Sequence, residues 1–283
     1  MIRATAICAA ILLATASTPA MSQQRGNRAL ATVITAYEQT ARRYDPLTSA
    51  SEGDRAALRV LPDSSRESDM RQRAELVALT ARLERVPTRG LNEEDALNRA
   101  YLLRVIDQSI EGIDLDFGRA PISNGDGYFT FGDYLAYTTP IQSRDDAEAW
   151  LSRLSALPGM YRQSVANARR GIETGYTQPR ITVDRALATA RAQVATMEQT
   201  LMTPLASMPD TIPAAQQEEY RNRARTIIRD QILPVHRETV TFIESEYLPA
   251  ARPGLGLRSV PGGEDLYRYL VRSYTTTDMT PEQ

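Results

Sequence analysis

The sequence has no lysine: its 33 basic residues are all arginine. That excludes a phosphate-binding loop of the G-x-x-x-x-G-K type, a Schiff-base lysine and a kinase-type lysine. The all-arginine set reads as the mark of a GC-rich genome rather than of a function. There is one cysteine, Cys8, and one histidine, His236. A thiol nucleophile beyond position 8 and a cysteine-ligated metal are therefore excluded, and a multi-histidine zinc site cannot be built from these residues. An excess of positive charge is also missing. The 33 basic residues face 35 acidic ones, for a net charge of −2, which argues against a nucleic-acid partner.

What is present describes a globular, exported, mainly helical protein. The 283 residues are 42% apolar and 24% charged, ordinary values for a soluble fold. The length suits one large domain or two small ones at about 150 residues each. Residues 1–22 read as a signal peptide, with Arg3 as the basic start and an apolar stretch from Ala4 to Ala16. That stretch is shorter than the ~20 residues of a membrane span. Cleavage is expected after Ala20 or Ser22, and an N-terminal membrane anchor is the alternative. Cys8 lies too early to be a lipidated first residue. After cleavage the chain would have no cysteine, hence no disulfide, and no membrane span. Its expected location is periplasmic or secreted.

Residues 23–283 are dominated by helical periodicity. A first helix is expected over Arg28–Arg43, stopped before Asp45-Pro46 because the residue ahead of a proline is pushed out of the α region. Residues 46–64 read as a loop. A second helix, about Ser65 to Arg85, carries the stripe Leu76, Leu79, Leu83 and Val86. A third, about Glu93 to Ile110, carries Ala96, Ala100, Leu103, Ile106 and Ile110. The segment 112–142 is rich in glycine and reads as turns with one short extended piece. Ser143-Arg-Asp-Asp146 is a capping box that opens a helix with Ala147, Trp150, Leu151 and Leu154 inside, ending at Pro158. A separate helix follows over Gly159–Thr174. Thr182 is expected to cap the next one, whose apolar face is Val183, Ala186, Leu187, Ala190, Val194, Met197 and Leu201. A long helix from Pro213 to Tyr247 should kink at Pro234, which removes the bond to the Asp230 carbonyl. Residues 249–263 form a second loop before a short element at Glu264–Tyr274. The expected class is mainly α, a multi-helix array with long irregular loops.

Few residues suggest chemistry. A zincin helix needs H-E-x-x-H, but Arg237 follows His236 and position 240 is Val240. His236-Arg-Glu238 matches half of a zinc-deaminase signature, and no cysteine supplies the rest. No G-x-S-x-G elbow is present. His236 is therefore read as a partly buried histidine behind the proline kink. Ile122–Asp133 imitates a calcium loop through Asn124, Asp126, Gly127 and Asp133, but its first ligand position is Ile122 and its twelfth an aspartate, so it is read as turn chemistry. Arg221, Arg223, Arg225 and Arg229 alternate with Glu218, Glu219 and Asp230, as on a solvated helix face. The aromatics between Tyr128 and Tyr137 could line a pocket or anchor a loop. No catalytic, cofactor-binding or metal residue is assigned. Thr280-Pro281-Glu282 has the form of a helix start, and residues 23–283 are expected to be one helical domain that is incomplete at its C-terminus.

Several segments taken in order resemble the N-terminal half of the bacterial family called domain of unknown function 885. They are Ser143–Leu157 with Leu157-Pro158-Gly159, Arg169–Gly175 with Pro179-Arg180, Phe242–Arg252 with its Glu246-Tyr-Leu-Pro-Ala-Ala-Arg252 run, Val260–Gly263 with Tyr267 and Tyr269, and Thr275–Glu282. The resemblance implies a mostly helical, exported or lipid-anchored parent about twice this length, similar in architecture to zinc metallopeptidases. The family's histidine–glutamate zinc motif lies downstream of Gln283, so no ligand or catalytic glutamate can be carried onto this sequence. The implied function is the N-terminal helical portion of a zincin-like exported protein, inactive alone. Zinc would belong only to the full-length parent, and the partners would be the missing C-terminal half and a peptide substrate. The rival reading is a self-contained, non-catalytic periplasmic binding or interaction protein.

Overall fold

The protein is described here by a computed structural model covering residues 27–283; the segment read as a signal peptide, residues 1–22, lies outside the described residues. Five helices of the described residues begin where a short polar side chain satisfies a free backbone N–H. Asn27 accepts from the Leu30 amide at the start of α1 (Arg28–Tyr44), Ser65 from Ser68 at α3 (Arg66–Glu84), and Asn92 from Asp95 at α4 (Glu93–Asp114). Between α1 and α3 the expected loop contains a helix, α2 (Pro46–Ser51), and a 3-10 turn at Ala57–Arg59. Asp45 caps α2 by accepting from the Thr48 amide, and Pro46 occupies its first turn. The proline that stops α1 thus also starts the next helix, where its missing N–H is no loss.

Helix α4 runs on to Asp114, and its buried positions are Leu102 and Ile106, whereas Ala96 and Ala100 face solvent. The glycine-rich stretch after it is more ordered than expected. A 3-10 turn (Phe117–Arg119) leads to a two-stranded antiparallel hairpin, β1 (Ile122–Ser123) and β2 (Asp126–Gly127), paired Ile122 to Gly127 and Ser123 to Asp126. Its connection is Asn124-Gly125, with Gly125 at φ +78°, the left-handed backbone that favours glycine at the third position of a turn. A 3-10 turn at Tyr128–Thr130 runs directly into α5 (Phe131–Thr138), so most of the aromatic segment is helical.

The capping box forms as expected. Asp146 N–H donates to Ser143 Oγ at 3.2 Å, and Asp146 Oδ2 accepts from the Gln142 amide at 3.1 Å. It opens α6 (Arg144–Glu173), a 30-residue helix that includes Pro158. The expected break is absent. One stripe of Trp150, Leu154, Leu157, Tyr161 and Ala168 is buried on both sides of the proline, and that packing offsets the single lost backbone bond. Helix α7 (Arg180–Leu201) starts two residues before the expected Thr182 cap. There the chain is held from outside: Arg180 N–H donates to the Arg252 carbonyl and Arg252 N–H to the Gln178 carbonyl. Val183, Ala186, Leu187, Ala190, Met197 and Leu201 are buried as expected, and Gln193 joins them.

After the short α8 (Thr203–Ala206), α9 (Ala214–Ile227) continues through a π-turn at Ile228–Ile232 into α10 (Leu233–Phe242) and a second π-turn at Ile243–Tyr247. The widened turn lies just ahead of Pro234 and accommodates it without ending the helix. The last helix, α11 (Gly263–Thr275), buries Gly263 and Leu266. Residues 280–282 form a turn closed by the Thr280 amide donating to Gln283 Oε1.

The apolar interior is in three parts. The largest gathers α5 to α10 around Trp150, Tyr161, Phe129 and Tyr247. A second sits among α1, α3 and α4 around Leu30, Leu83 and Ile106. A third, with Tyr176, Val260 and Leu266, lies under α11. Asp116 ties the first two together. Its backbone is left-handed at φ +53°, and its carboxylate accepts a fork from Arg170 at 3.0 and 2.8 Å with Arg66 at 3.7 Å. Beside it α6 approaches the chain closely at Gly171, whose missing side chain leaves room for the Arg119 carbonyl. Among the described residues no helix is long and apolar enough to cross a membrane.

Candidate functional site

His236 is wholly buried, beyond the partial burial expected. Its Nε2 lies 2.7 Å from the Ala190 carbonyl oxygen, which can only accept, so Nε2 carries the proton. Nδ1 is sealed and has no partner among the described residues. Burial pushes the ring pKa below its ordinary 6.5, against the opposing pull of the Ala190 carbonyl and Asp133. Around it stand Tyr161, whose hydroxyl donates to the Phe129 carbonyl at 2.9 Å, and Gln193, which donates to Asp133 at 2.6 Å. Burial raises the Asp133 carboxyl and pushes the Tyr161 phenol far up. This set is built to be buried, and His236 presents no surface to a substrate.

The other motifs settle into structural roles. In the calcium-like stretch Asn124 accepts from Arg185 at 2.9 Å, Asp126 caps its own turn by accepting from Gly127 and Thr130, and Asp133 points to Gln193. The three carboxyl and amide groups are thus turned to different partners. On α9, Arg223 forks onto Glu148 at 2.7 and 2.9 Å, Arg225 pairs with Glu218, and Arg229 with Asp230, all at the surface. The aromatic set divides: Tyr128 and Phe129 are core, and Tyr134 and Tyr137 are exposed. Among the described residues no three His, Cys, Asp or Glu side chains are gathered to hold a metal.

The feature with binding geometry is a half-open cavity of about 420 Å³ between α2 with its following turn, the end of α5, and the first half of α6. Leu47, Leu58, Leu135 and Pro140 line it, Tyr134 stands at its rim, and Trp150 and Arg153 form the α6 wall. Arg55 closes one side. Its guanidinium is 2.6 Å from Asp145 and 2.7 Å from Asp146, which holds both carboxylates below the usual range together with the Ser143 and Arg59 contacts. Arg153 is different. It is 4% exposed, its Nη2 donates to the Ala57 carbonyl at 3.2 Å, and no carboxylate pairs with it among the described residues. Its Nε and the Trp150 Nε1 are sealed without acceptors. Sequence reading placed Trp150 in the core and passed over Arg153. The available signal was an arginine on the buried stripe, three residues after Trp150 and four before Leu157.

The cavity walls come from residues 47–153, and the family match covers them. Residues 46–283 match the family described as a bacterial protein of unknown function, DUF885. The chain belongs to DUF885. The resemblance read from the ordered segments is thereby borne out for the family itself. No curated protein matches the chain. A solved structure described as "the putative lipoprotein from Colwellia psychrerythraea" overlays on it with a TM-score of 0.78 at 12% identity. The overlay covers 90% of this chain and 47% of that one. At such identity the likeness shows the fold, and it supports the mainly α helical array. The DUF885 chain described here spans about half the length of the solved structure it matches.

Proposed function

We propose that this DUF885 chain is the N-terminal helical portion of a longer exported protein of metallopeptidase-like architecture, with residues 1–22 its signal peptide and residues 23–283 one helical domain continued by further chain. In this reading the portion supplies packing surface and one wall of a peptide cleft, and has no turnover alone. The observation that carries it is the overlay in which nearly the whole chain accounts for 47% of the solved structure. Exposed apolar residues fit the same picture: Leu97 and Tyr101 on α4 are 69% and 67% exposed, and Tyr274 on α11 is 84% exposed. Surfaces of this kind suit a covering partner. A zincin uses its metal to activate water and a glutamate as base. The residues described here gather no ligand set that fits zinc, so no catalytic step is placed on them.

The test is elemental analysis and a peptide-pool assay on the purified chain. The expected result is a zinc-free protein without turnover; stoichiometric zinc or peptide cleavage would overturn the proposal. The cavity favours a second reading, a self-contained binding protein of the periplasm. A hydrophobic-dye assay on the native chain separates the two. Strong dye binding before the melt supports a covered apolar face, and a dye-silent cooperative melt supports the binding protein.

A further inference from the structure

We infer that the cavity between α2 and α6 binds a small monocarboxylate with an aromatic or branched apolar body, the head held by Arg153. This stands on the cavity alone and does not depend on the fragment reading.

A guanidinium cannot be made neutral at ordinary pH, so when it is buried it needs an anion or a full set of acceptors. Arg153 has neither. Its one hydrogen bond runs from Nη2 to the Ala57 carbonyl, its Nε is orphaned, and Nη1 has no acceptor among the described residues. The carboxylate in the wall, Asp146, and its neighbour Asp145 are already committed. Asp146 accepts from Ser143, from the Gln142 amide and from Arg55, while Asp145 takes Arg55 and Arg59. The arginine is also held in place, since Ser152 beside it donates to the Arg59 carbonyl at 2.8 Å and fixes the turn that Arg153 meets. A positioned cation with a free donor at Nη1 is therefore presented to a cavity whose other walls are leucines, a proline and aromatic rings, with Ser51, Thr138, Thr139 and Gln142 among them.

The charge balance selects the class of anion. Arg55 and Arg59 are balanced by Asp145 and Asp146, so one positive charge, that of Arg153, remains, with Asp146 on the same wall. A planar, singly charged carboxylate matches the planar fork of an arginine. A dianionic phosphate would meet Asp146 without a second cation to compensate it. The apolar body would lie against Trp150, Leu58 and Leu47 with Tyr134 at the entrance, and the volume falls in the range of about 300–1,000 Å³ usual for small-molecule sites.

Trp150 is the only tryptophan in the sequence, so its emission reports on the cavity. The experiment titrates the full chain with 3-phenylpropionate, its amide 3-phenylpropanamide, and inorganic phosphate. The expected result is a saturable change in emission with the acid, at least about tenfold weaker binding of the amide, and no response to phosphate, because a hydrogen bond to a charged group is the stronger kind. Arg153→Gln should bring the acid down to the level of the amide. Should that variant fail to fold, Ala50→Phe decides: it fills the cavity from α2, leaves Arg153 in place, and should abolish the titration while circular dichroism stays unchanged. No saturable response in the wild type, equal binding of acid and amide, or an unchanged titration in folded Ala50→Phe would each overturn the inference.

Discussion

Alanine at Gly171 should destabilise the protein although it is a better helix former than glycine. Gly171 lies near the end of α6, where the backbone around Arg119 and Tyr176 crosses the helix. A methyl there would sit well inside contact distance of the Arg119 carbonyl oxygen, 3.2 Å from its carbonyl carbon and 2.9 Å from the Tyr176 carbonyl oxygen. These are backbone atoms, so they cannot swing away as the tip of a side chain would. Intrinsic propensity favours alanine over glycine by about 1 kcal/mol inside a helix. Overpacking against fixed atoms costs about 1–3 kcal/mol and sometimes more, and here it must exceed that gain. Gly159 is the control. It lies in the same helix with nothing within 4 Å of an added methyl, so Gly159→Ala should be neutral or stabilising by up to about 1 kcal/mol. At about 2–4 °C per kcal/mol for a chain of this size, Gly171→Ala should melt below Gly159→Ala by roughly 2–12 °C. Thermal melts followed at 222 nm measure this. If Gly171→Ala melts at or above Gly159→Ala, the close approach of Arg119 to α6 is wrong.

Three further outcomes follow from the same contacts. His236 is held neutral by burial, so the unfolded chain binds the extra proton. Its contribution is fully present above pH 6.5 and is lost as pH falls through 6.5 toward the lowered folded value. The melting temperature of His236→Gln should therefore vary less between pH 7 and 5.5 than that of the wild type. Asp133, raised by burial, acts with the opposite sign at lower pH. Ser143→Ala removes the α6 cap and one partner of Asp146 and should cost about 1 kcal/mol in urea unfolding; no change would mean that Asp146 caps the helix unaided. Asp116→Ala should cost about 2–4 kcal/mol, because it strands the Arg170 fork and puts a Cβ without hydrogen-bonding help in a left-handed backbone. Asp116→Gly should recover part of that loss, and equal melting of the two variants would show that the backbone carries no strain.

Local rules held at several positions, though not at α2, whose Asp45 cap and Pro46 are as local as any, nor at Ala96 and Ala100. The cap at Ser143, the start of the second helix near Ser65 and the stripe Leu76, Leu79, Leu83 were readable because each depends on residues three or four apart. The family was readable from the order of its segments. Readings failed where a distant partner decides. Pro158 looked like an end, yet the stripe from Trp150 to Ala168 continues through it, and only the rest of the core shows why the helix does too. Thr182 looked like a cap, but Arg252 starts α7 earlier from across the fold. The Arg153 cavity needs α2, which was read as loop, to close its second wall. Residues 46–59 and 134–153 carry no local sign that they meet.

The two π-turns on either side of α10 act as phase adjusters. Each winds one extra residue into a turn, and an α-helix advances about 100° per residue. The buried series Ile228, Ile232, Val235, His236, Thr239, Phe242, Ile243 and Tyr247 recurs at the three- and four-residue spacing that keeps one face toward the core. Deleting a single residue from the first π-turn would straighten the helix locally and improve its regular hydrogen bonding. The residues beyond it would keep their facing, because the turn that had absorbed the extra residue returns to ordinary α geometry. The two π-turns are thus the places where this helix can absorb a change in length, and a one-residue deletion should be tolerated better there than in the middle of α10.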